Sequence, residues 1–467
     1  MVALAFAMAL ALVLSACSQA PALRLPEVPI ANSYKEEAPW TSARPADDLP
    51  RDAWWTVYGD GELDELQARL LGNSPDLAAA LARYQQAKAF TDQLRSGLYP
   101  KLNGSAQAQR NRQRAIGATP SSEFNSRALG VAAEYEFDLW GRISNQIAAG
   151  GALQQAAQAD LESARLSLQS ELADTYIALR GLDREIALFN DTVAAYTKAL
   201  DLTQTRHDGG LASGLDVARA QTQVEAARAQ FAQQAAQRAV LEHAIAALVG
   251  ASPSQFALAP RLAAIKLPAI PAGVPSTLLQ RRPDIAAAQR RILAANANIG
   301  IARAAYFPAV TLSAAAGYQS TVSGALIAAP NLFWSIGPSL MLALFDAGRR
   351  DAQVVQAQAL LDESGARYKS LVLGAFQQVE DNLALLNNYR IASEAEGAAV
   401  VAAQRTLALA TSRYHDGAAS YLEVVTAQAA ALQTQRDALD LNTRQRRASV
   451  QLIRALGGGW AAADTMR

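Results

Sequence analysis

The side chains best able to do chemistry in this chain are few. Its 467 residues include 3 histidines, His207, His243 and His415, and 1 cysteine, Cys17. No histidine has a cysteine or a second histidine at metal-ligand spacing, so the sequence predicts no metal centre. One cysteine excludes an internal disulfide. A nucleophile elbow, a phosphate loop and a dinucleotide fingerprint are all missing. Acidic pairs spread along stretches of helical periodicity, where a solvated face is their ordinary place. The expectation is therefore no enzyme, no catalytic residue and no cofactor. What remains is charge at breaks in the chain, at His207-Asp208-Gly209-Gly210 and at His415-Asp416-Gly417, and an acidic run at Glu134, Glu136 and Asp138. Carboxylates gathered about one axis lower the potential and favour cations. A histidine beside one, as His415 is beside Asp416, changes charge near neutral pH.

Composition limits the elements that could position these groups. Lys+Arg is 42 and Asp+Glu is 42, a formal net charge of zero, which removes the footprint of a nucleic-acid binder and of a disordered chain. Hydrophobic residues make up 51% and charged ones 18%. Beyond the N-terminus no run reaches the ~18 apolar residues of a membrane-spanning helix. Alanine supplies much of the apolar count, and it favours long, closely packed helices over a large core.

Residues 2–14 form an apolar segment too short to span, suited to a signal peptide over 1–16. It ends in Leu14-Ser15-Ala16-Cys17, which resembles the lipobox of bacterial lipoproteins. The resemblance implies that Cys17 carries a diacylglycerol and an acylated (palmitate-type) amino terminus. Ser18, where inner-membrane retention would have Asp, implies the outer membrane. No Lys or Arg precedes the apolar run, which points to a start upstream of Met1.

The sequence also repeats itself. Pro75-Asp76-Leu77 matches Pro283-Asp284-Ile285, and Tyr99-Pro100 matches Phe307-Pro308. Phe137-Asp138 with Gly141-Arg142 matches Phe345-Asp346 with Gly348-Arg349, and Arg206, Gly210, Ser213, Leu215 and Val217 match Arg413, Gly417, Ser420, Leu422 and Val424. These anchors keep one order at a near-constant spacing of about 208 residues, so two copies of one unit make up the chain. The copies are expected over 61–250 and 283–456, with a proline-rich linker at 251–282 and a tail at 457–467.

Each copy reads as helix, β-hairpin, long helix, turn and return helix. Hairpins are expected at about 100–140 and 308–346, with loops near 113–125 and 319–332. From Leu129 to Leu139 the odd positions are apolar and the even positions small or acidic, a strict two-residue period. In the second copy Val310, Leu312, Ala314 and Ala316 share one face, and Trp334, Ile336, Leu340, Leu342 and Leu344 share one on its partner. Residues 142–206 and 349–413 lack proline and would form helices of roughly 98 Å at about 1.5 Å per residue. The first carries a heptad seam at Leu168, Leu172, Thr175, Leu179, Leu182, Ile186, Phe189, Val193, Tyr196 and Leu200, as coiled-coil packing needs. Turns at 207–214 and 414–420 lead to return helices at about 214–249 and 421–455.

Four short strands with one apolar face have no second layer to cover it. If that face meets lipid, the sheet must close so that no edge is left unpaired. Four strands are too few to close, since the smallest membrane barrels use about eight. Several chains must therefore share one barrel, with Glu134, Glu136 and Asp138 facing its water-filled lumen, because acidic side chains are costly against lipid.

Trp54-Trp55 with Tyr58-Gly59-Asp60, Asn73-Ser74-Pro75-Asp76-Leu77, Arg281-Arg282-Pro283-Asp284-Ile285, Tyr306-Phe307-Pro308, Leu344-Phe345-Asp346 and Ala455-Leu456-Gly457-Gly458-Gly459-Trp460 stand in order along the chain. In that order they resemble the TolC-type outer membrane factors, in the OprM/NodT-like lipoprotein branch. The resemblance spans about residues 17–460. It implies a mainly α chain with a small β part: a long α-helical barrel continuous with a transmembrane β-barrel, shared by a homotrimer of four strands per chain. It also implies a periplasmic adaptor protein and an inner-membrane efflux pump as partners, with outer membrane lipid and no nucleic acid. The adaptor-docking tip would be Asp208, Gly210, Ser213, Leu215, Asp216 and Val217 with Asp416, Gly417, Ser420, Tyr421, Leu422 and Glu423. Three copies of Asp208, His415 and Asp416 around one axis are the candidate gate. Residues 17–60, the linker and the C-terminus would form an equatorial belt in which Trp54 and Trp55 are packing anchors. The expected function is a passive exit duct for small molecules. The exit channel of a protein-secretion system and a non-conducting periplasmic tether are the alternatives.

Overall fold

The structure is a computed structural model. It describes residues 19–23, 25–29, 31, 33–36, 53–114, 122–270, 281–322 and 324–458. The signal segment, Cys17 and Trp460 lie outside the described residues.

Among the described residues, a short 3-10 turn at Trp54–Tyr58 leads to helices α1 (Gly61–Asn73) and α2 (Pro75–Arg95). Strands β1 (Lys101–Gln113) and β2 (Ser122–Phe137) follow, then α3 (Arg142–Asp208) and α4 (Gly214–Leu248). The second copy supplies α5 (Pro283–Ala304), β3 (Ala309–Ser320), β4 (Leu332–Met341), α6 (Arg349–His415) and α7 (Tyr421–Ala455). The long helices α3 and α6 each have 67 residues, and α4 and α7 each have 35. The duplication is thus visible as matched element lengths.

The first long helix runs past His207 to Asp208, and the second ends on His415. They stop where glycine can turn the chain: Gly210 has φ 75° and Gly417 φ 75°. The Leu211 N–H then bonds back to the Arg206 carbonyl at 2.7 Å, and that of Ala418 to Arg413 at 2.8 Å. This is the closure a left-handed residue after a helix permits. His207, Asp208 and His415 therefore belong to the last helical turns, where a histidine sits well against the helix dipole.

Two compact units are made of interleaved stretches. One holds Met1–Glu27, Ala82–Ala159 and Ala287–Lys369, the other Val28–Leu81, Asp160–Ala286 and Ser370–Arg467. Each draws on both copies, so the units cut across the repeats.

The first unit contains the sheet, an antiparallel meander in the order β1-β2-β3-β4. Among the described residues β1 and β4 each pair on one side alone. β1 has 13 residues and β2 has 16, both longer than the stretch from Leu129 announced. β4 ends at Met341, so Leu342 and Leu344 fall beyond it. Glycine permits a close approach at mid-sheet: a Cβ on Gly317 would meet the Leu129 carbonyl oxygen at 2.3 Å. At the helix-proximal end the Trp140 indole N–H donates to the Pro308 carbonyl at 2.8 Å, and its ring stacks on Phe307 at 4.6 Å.

The second unit has a main apolar core and two smaller clusters, one about Tyr414 and Tyr421 and one about Tyr196 and Val224. Trp54, Trp55, Tyr58, Leu63 and Leu70 pack with Leu172, Tyr176 and Leu179 of α3, Leu258, Ile265 and Ile270 of the linker, and Val450, Leu452 and Ile453 of α7. Within the predicted seam Leu172, Leu179, Phe189 and Tyr196 are buried. A charged cluster binds the same elements. The buried Arg180 guanidinium donates to Asp183, Glu62 and the Ala259 carbonyl. Arg238 reaches Asp183 at 2.6 Å, and the Arg261 N–H reaches it at 3.0 Å. Tyr176 donates to Asp60 at 3.0 Å, and Asp60 itself accepts from the Glu62 and Leu63 N–H groups that open α1. Buried charge is tolerated in this form because each ion has several partners.

Candidate functional site

Two places hold the residues singled out by sequence, the wall of the sheet and the turns between long and return helices. In the wall, cross-strand register decides which side chains share a face. Val131 stands opposite Gly104 and Ala316, and Ala316 opposite Trp334. Two residues along, Ala133 stands opposite Leu102 and Ala314, and Ala314 opposite Ile336. Next come Tyr135, Leu312 and Pro338, then Phe137, Val310 and Leu340. Every one of these positions is apolar. Trp334 is 72% exposed, Ile336 65% and Leu340 67%, so nothing among the described residues covers the face.

The other face is mostly small or polar, with Phe333 and Met341 of β4 among its large apolar members. Glu134 stands opposite Lys101 and Ser313, and Ser313 opposite Gly337. Glu136 stands opposite Thr311, which faces Ser339, and those two hydroxyls bond at 2.6 Å. Alternation of this kind, apolar out and polar in, belongs to a membrane β-barrel wall. The three acidic residues do different things within it. Glu134 is exposed beside Lys101, whereas Glu136 binds the Arg142 guanidinium at 2.5 Å. Asp138 lies just past β2 and accepts from the Ile143 and Ser144 N–H groups at 2.8 and 2.7 Å, capping the start of α3. A carboxylate there satisfies helix N–H groups that otherwise lack partners.

At the turns both return helices begin with a capping box, Ser213 with Asp216 and Ser420 with Glu423. These four predicted residues therefore hold the turn shape. Asp208 accepts from Gln204 at 2.8 Å, and Asp416 lies 3.7 Å from His415, both well exposed. Leu215 is 59% exposed and Leu422 49%, while Tyr421 and Val424 are buried. Tyr421 bonds to Thr203, and burial pushes its hydroxyl pKa up.

The sequence assigns no function to Arg206 or Tyr414, which join the two turns. The Arg206 guanidinium donates to the carbonyls of Tyr414 at 2.8 Å and His415 at 2.7 Å, and lies 4.6 Å over the Tyr414 ring. Tyr414 packs on Tyr421 at 5.3 Å. Leu211, also unflagged, is 83% exposed. The signal available was that Arg206 matches Arg413 in the duplication, both in the last turn of a long helix, where a basic side chain can bond terminal carbonyls. No group of metal-ligating side chains occurs among the described residues.

Comparison with known proteins agrees with this geometry. The outer membrane efflux protein family matches residues 66–251 and again 274–458, once per copy. Outer membrane protein OprJ of Pseudomonas aeruginosa is 34% identical, over 97% of this chain and 95% of its own. The toluene efflux pump outer membrane protein TtgC of Pseudomonas putida is 32% identical, over 96% of this chain and 94% of its own. Among solved structures, the outer-membrane channel OprN superimposes with a TM-score of 0.87 at 30% identity, covering 95% of this chain and 100% of that one.

Proposed function

The chain belongs to the outer membrane efflux protein family, and from that premise we propose that three copies close one barrel and one helical tube, which a periplasmic adaptor couples to an inner-membrane pump. Its function is that of an outer-membrane efflux channel component, extending into the periplasm. The observation that carries the channel is the register of the sheet. One face is apolar from Leu102 to Ile336 across four strands, the other carries Glu134, Ser313 and Ser339, and both outer strands have an open edge. Such a sheet is stable in lipid only when its edges close on further copies. Purified protein in planar bilayers is expected to conduct ions steadily, and to run as a trimer when cross-linked. A trimer that never conducts would leave the tether reading in its place.

The tip segments 208–217 and 416–423 are the adaptor-docking surface in this reading. Exposed Leu211, Leu215 and Leu422 supply the apolar contact such docking needs. Co-purification of an adaptor and a small-molecule pump is the expected outcome. Recovery of a protein-secretion transporter would favour the secretion alternative. Asp208, His415 and Asp416, in triplicate, form a cation-favouring constriction. Single-channel recordings of Asp208→Ala and Asp416→Ala test it, and unchanged conductance and ion selectivity would remove it.

Cys17 is the lipid attachment site. What supports this is where the chain goes next: the Gln19 carbonyl accepts from Arg303 at 3.5 Å and that of Pro21 from Asn296 at 2.9 Å, on the end of α5 that leads into β3. An anchor two residues earlier would enter the bilayer beside the foot of the wall. Mass spectrometry of the mature protein should find Cys17 acylated and N-terminal.

A further inference from the structure

The apolar face of the sheet changes character at the end remote from the helices. β-Register continues Leu129 upward to Arg127, which stands opposite Ala108, then to Arg110 opposite Asn125 and Arg112 opposite Glu123. Side chains two residues apart share a face. Arg110, Arg112 and Arg127 therefore stand on the same face as Leu129, Val131 and Tyr135. The ion pairs confirm the parity: Glu123 lies 2.9 Å from Arg110 and 3.8 Å from Arg112. One glutamate thus serves two arginines whose side chains remain 77% and 74% exposed. Arg127 donates to the Val322 carbonyl at 3.1 Å, which fixes its guanidinium at the same rim. Arg114 follows directly after β1, and residues 309–345 contain no charged side chain at all. The rim is therefore strongly cationic, with one carboxylate among the described residues to offset it.

Directly below the arginines the wall is hollowed. Gly104, Ala106, Leu129, Val131, Ala316 and Tyr318 line a groove of about 630 Å³ on that same face. Small residues form its floor, and Leu129 and Tyr318 its sides. The Leu129 row lies one two-residue step from the Arg127 row, about 7 Å along the strand.

A cationic rim over an apolar groove has the polarity of an anionic lipid standing upright. We propose that this face binds one phosphorylated lipid of the outer leaflet, a lipid A-type molecule, with its phosphates on Arg110, Arg112 and Arg127 and an acyl chain in the groove. This rests on the reading that the sheet crosses the outer membrane with its loops outward. Arginine suits the task because its planar fork matches phosphate oxygens and stays charged at any physiological pH. The charge also argues for a lipid of the outer leaflet, since the arginines sit at the end from which the periplasmic helices do not leave.

Native mass spectrometry of the detergent-purified full-length trimer tests this, with diphosphoryl lipid A and its dephosphorylated form as probes. Wild-type protein should retain the diphosphoryl form at least ~10-fold better, a preference that falls with added salt as exposed charge pairs do. The Arg110→Ala/Arg112→Ala/Arg127→Ala variant should lose the preference, and the corresponding lysine variant should keep part of it. Equal retention of the two lipids by wild-type protein would overturn the proposal even if no variant folds. So would inorganic pyrophosphate binding as tightly as the lipid, which would leave an anion site and no lipid site. Conductance of the same preparation reads the channel function separately, so that a conducting trimer without phosphate preference removes this inference alone.

Discussion

Arg206 and Arg413 stand at matching positions of the two copies and hold different partners. Arg206 crosses to the second copy and donates to the Tyr414 and His415 carbonyls. Arg413 stays on its own turn, donating to the Ala418 carbonyl at 3.2 Å and lying 3.7 Å from Glu423. The first copy therefore restrains the second at the tip, and the second restrains only itself. Around a ring of alternating copies, one junction in two would carry this clasp.

Arg206→Ala removes two hydrogen bonds from a charged donor, a contribution of about 1.5–3 kcal/mol each. Amide exchange over residues 414–418 is expected to quicken at least ~10-fold, and bilayer conductance to rise. Arg413→Ala should leave both nearly unchanged. Equal effects from the two variants would show that the clasp is not the restraint.

Much of the architecture was legible in the sequence, because duplication and two-residue alternation are local patterns. That Val131, Ala316 and Trp334 stand on the apolar faces of their strands follows from parity, whereas their register across β2, β3 and β4 is set by the folded sheet. The ends of the long helices were less legible. His207 and Asp208 look like turn residues, yet it is the positive φ of Gly210 that stops the helix. Glu136 and Asp138 are expected to face the lumen, and nothing in their spacing showed that Arg142 and the α3 N-terminus would engage them. Arg206 is a long-range case: its partners are 208 and 209 residues away, and no periodicity reports such a contact.

Asp183 is shared by Arg180, Arg238 and the Arg261 N–H. Asp183→Ala leaves two guanidinium groups short of a buried partner, and such changes cost about 3–5 kcal/mol. Thermal or denaturant unfolding should show a loss of that size. Arg261→Ala, whose side chain is 43% exposed, should cost far less.

Glu185 lines a polar cavity of about 460 Å³ with Asp174, Asp437, Asp440, Arg436, Arg444 and Arg447. Burial raises its pKa, Arg436 opposes the rise and Asp440 adds to it. A carboxyl raised in the folded state favours folding when protonated. Its stabilising contribution is complete below the ordinary glutamate range near pH ~4.3 and is lost as pH rises through the raised value. Glu185→Gln should therefore melt higher than wild type at about pH 8, and the two should converge near pH ~4. A constant difference across that range would remove Glu185 as its source.

Gly317→Ala places a methyl group against the Leu129 carbonyl oxygen and the Gly130 Cα at 2.3 and 2.6 Å. Both contacts are backbone, so the two strands must part. The yield of folded trimer in the outer membrane should fall several-fold. Gly337→Ala, with open space around its Cβ, should assemble normally.

Residues 309–345, which hold β3 and β4, carry no Asp, Glu, Lys, Arg or His, so all the formal charge of the sheet belongs to the first hairpin. For an experimenter the second hairpin is a blank electrical background. A single carboxylate written there, for example Ser335→Asp on the polar face beside Ala315, would recur once per chain with no native ion nearby on its own hairpin. Any change in rectification could then be assigned to that one atom group, which makes the quiet half of the wall the natural place to tune the pore.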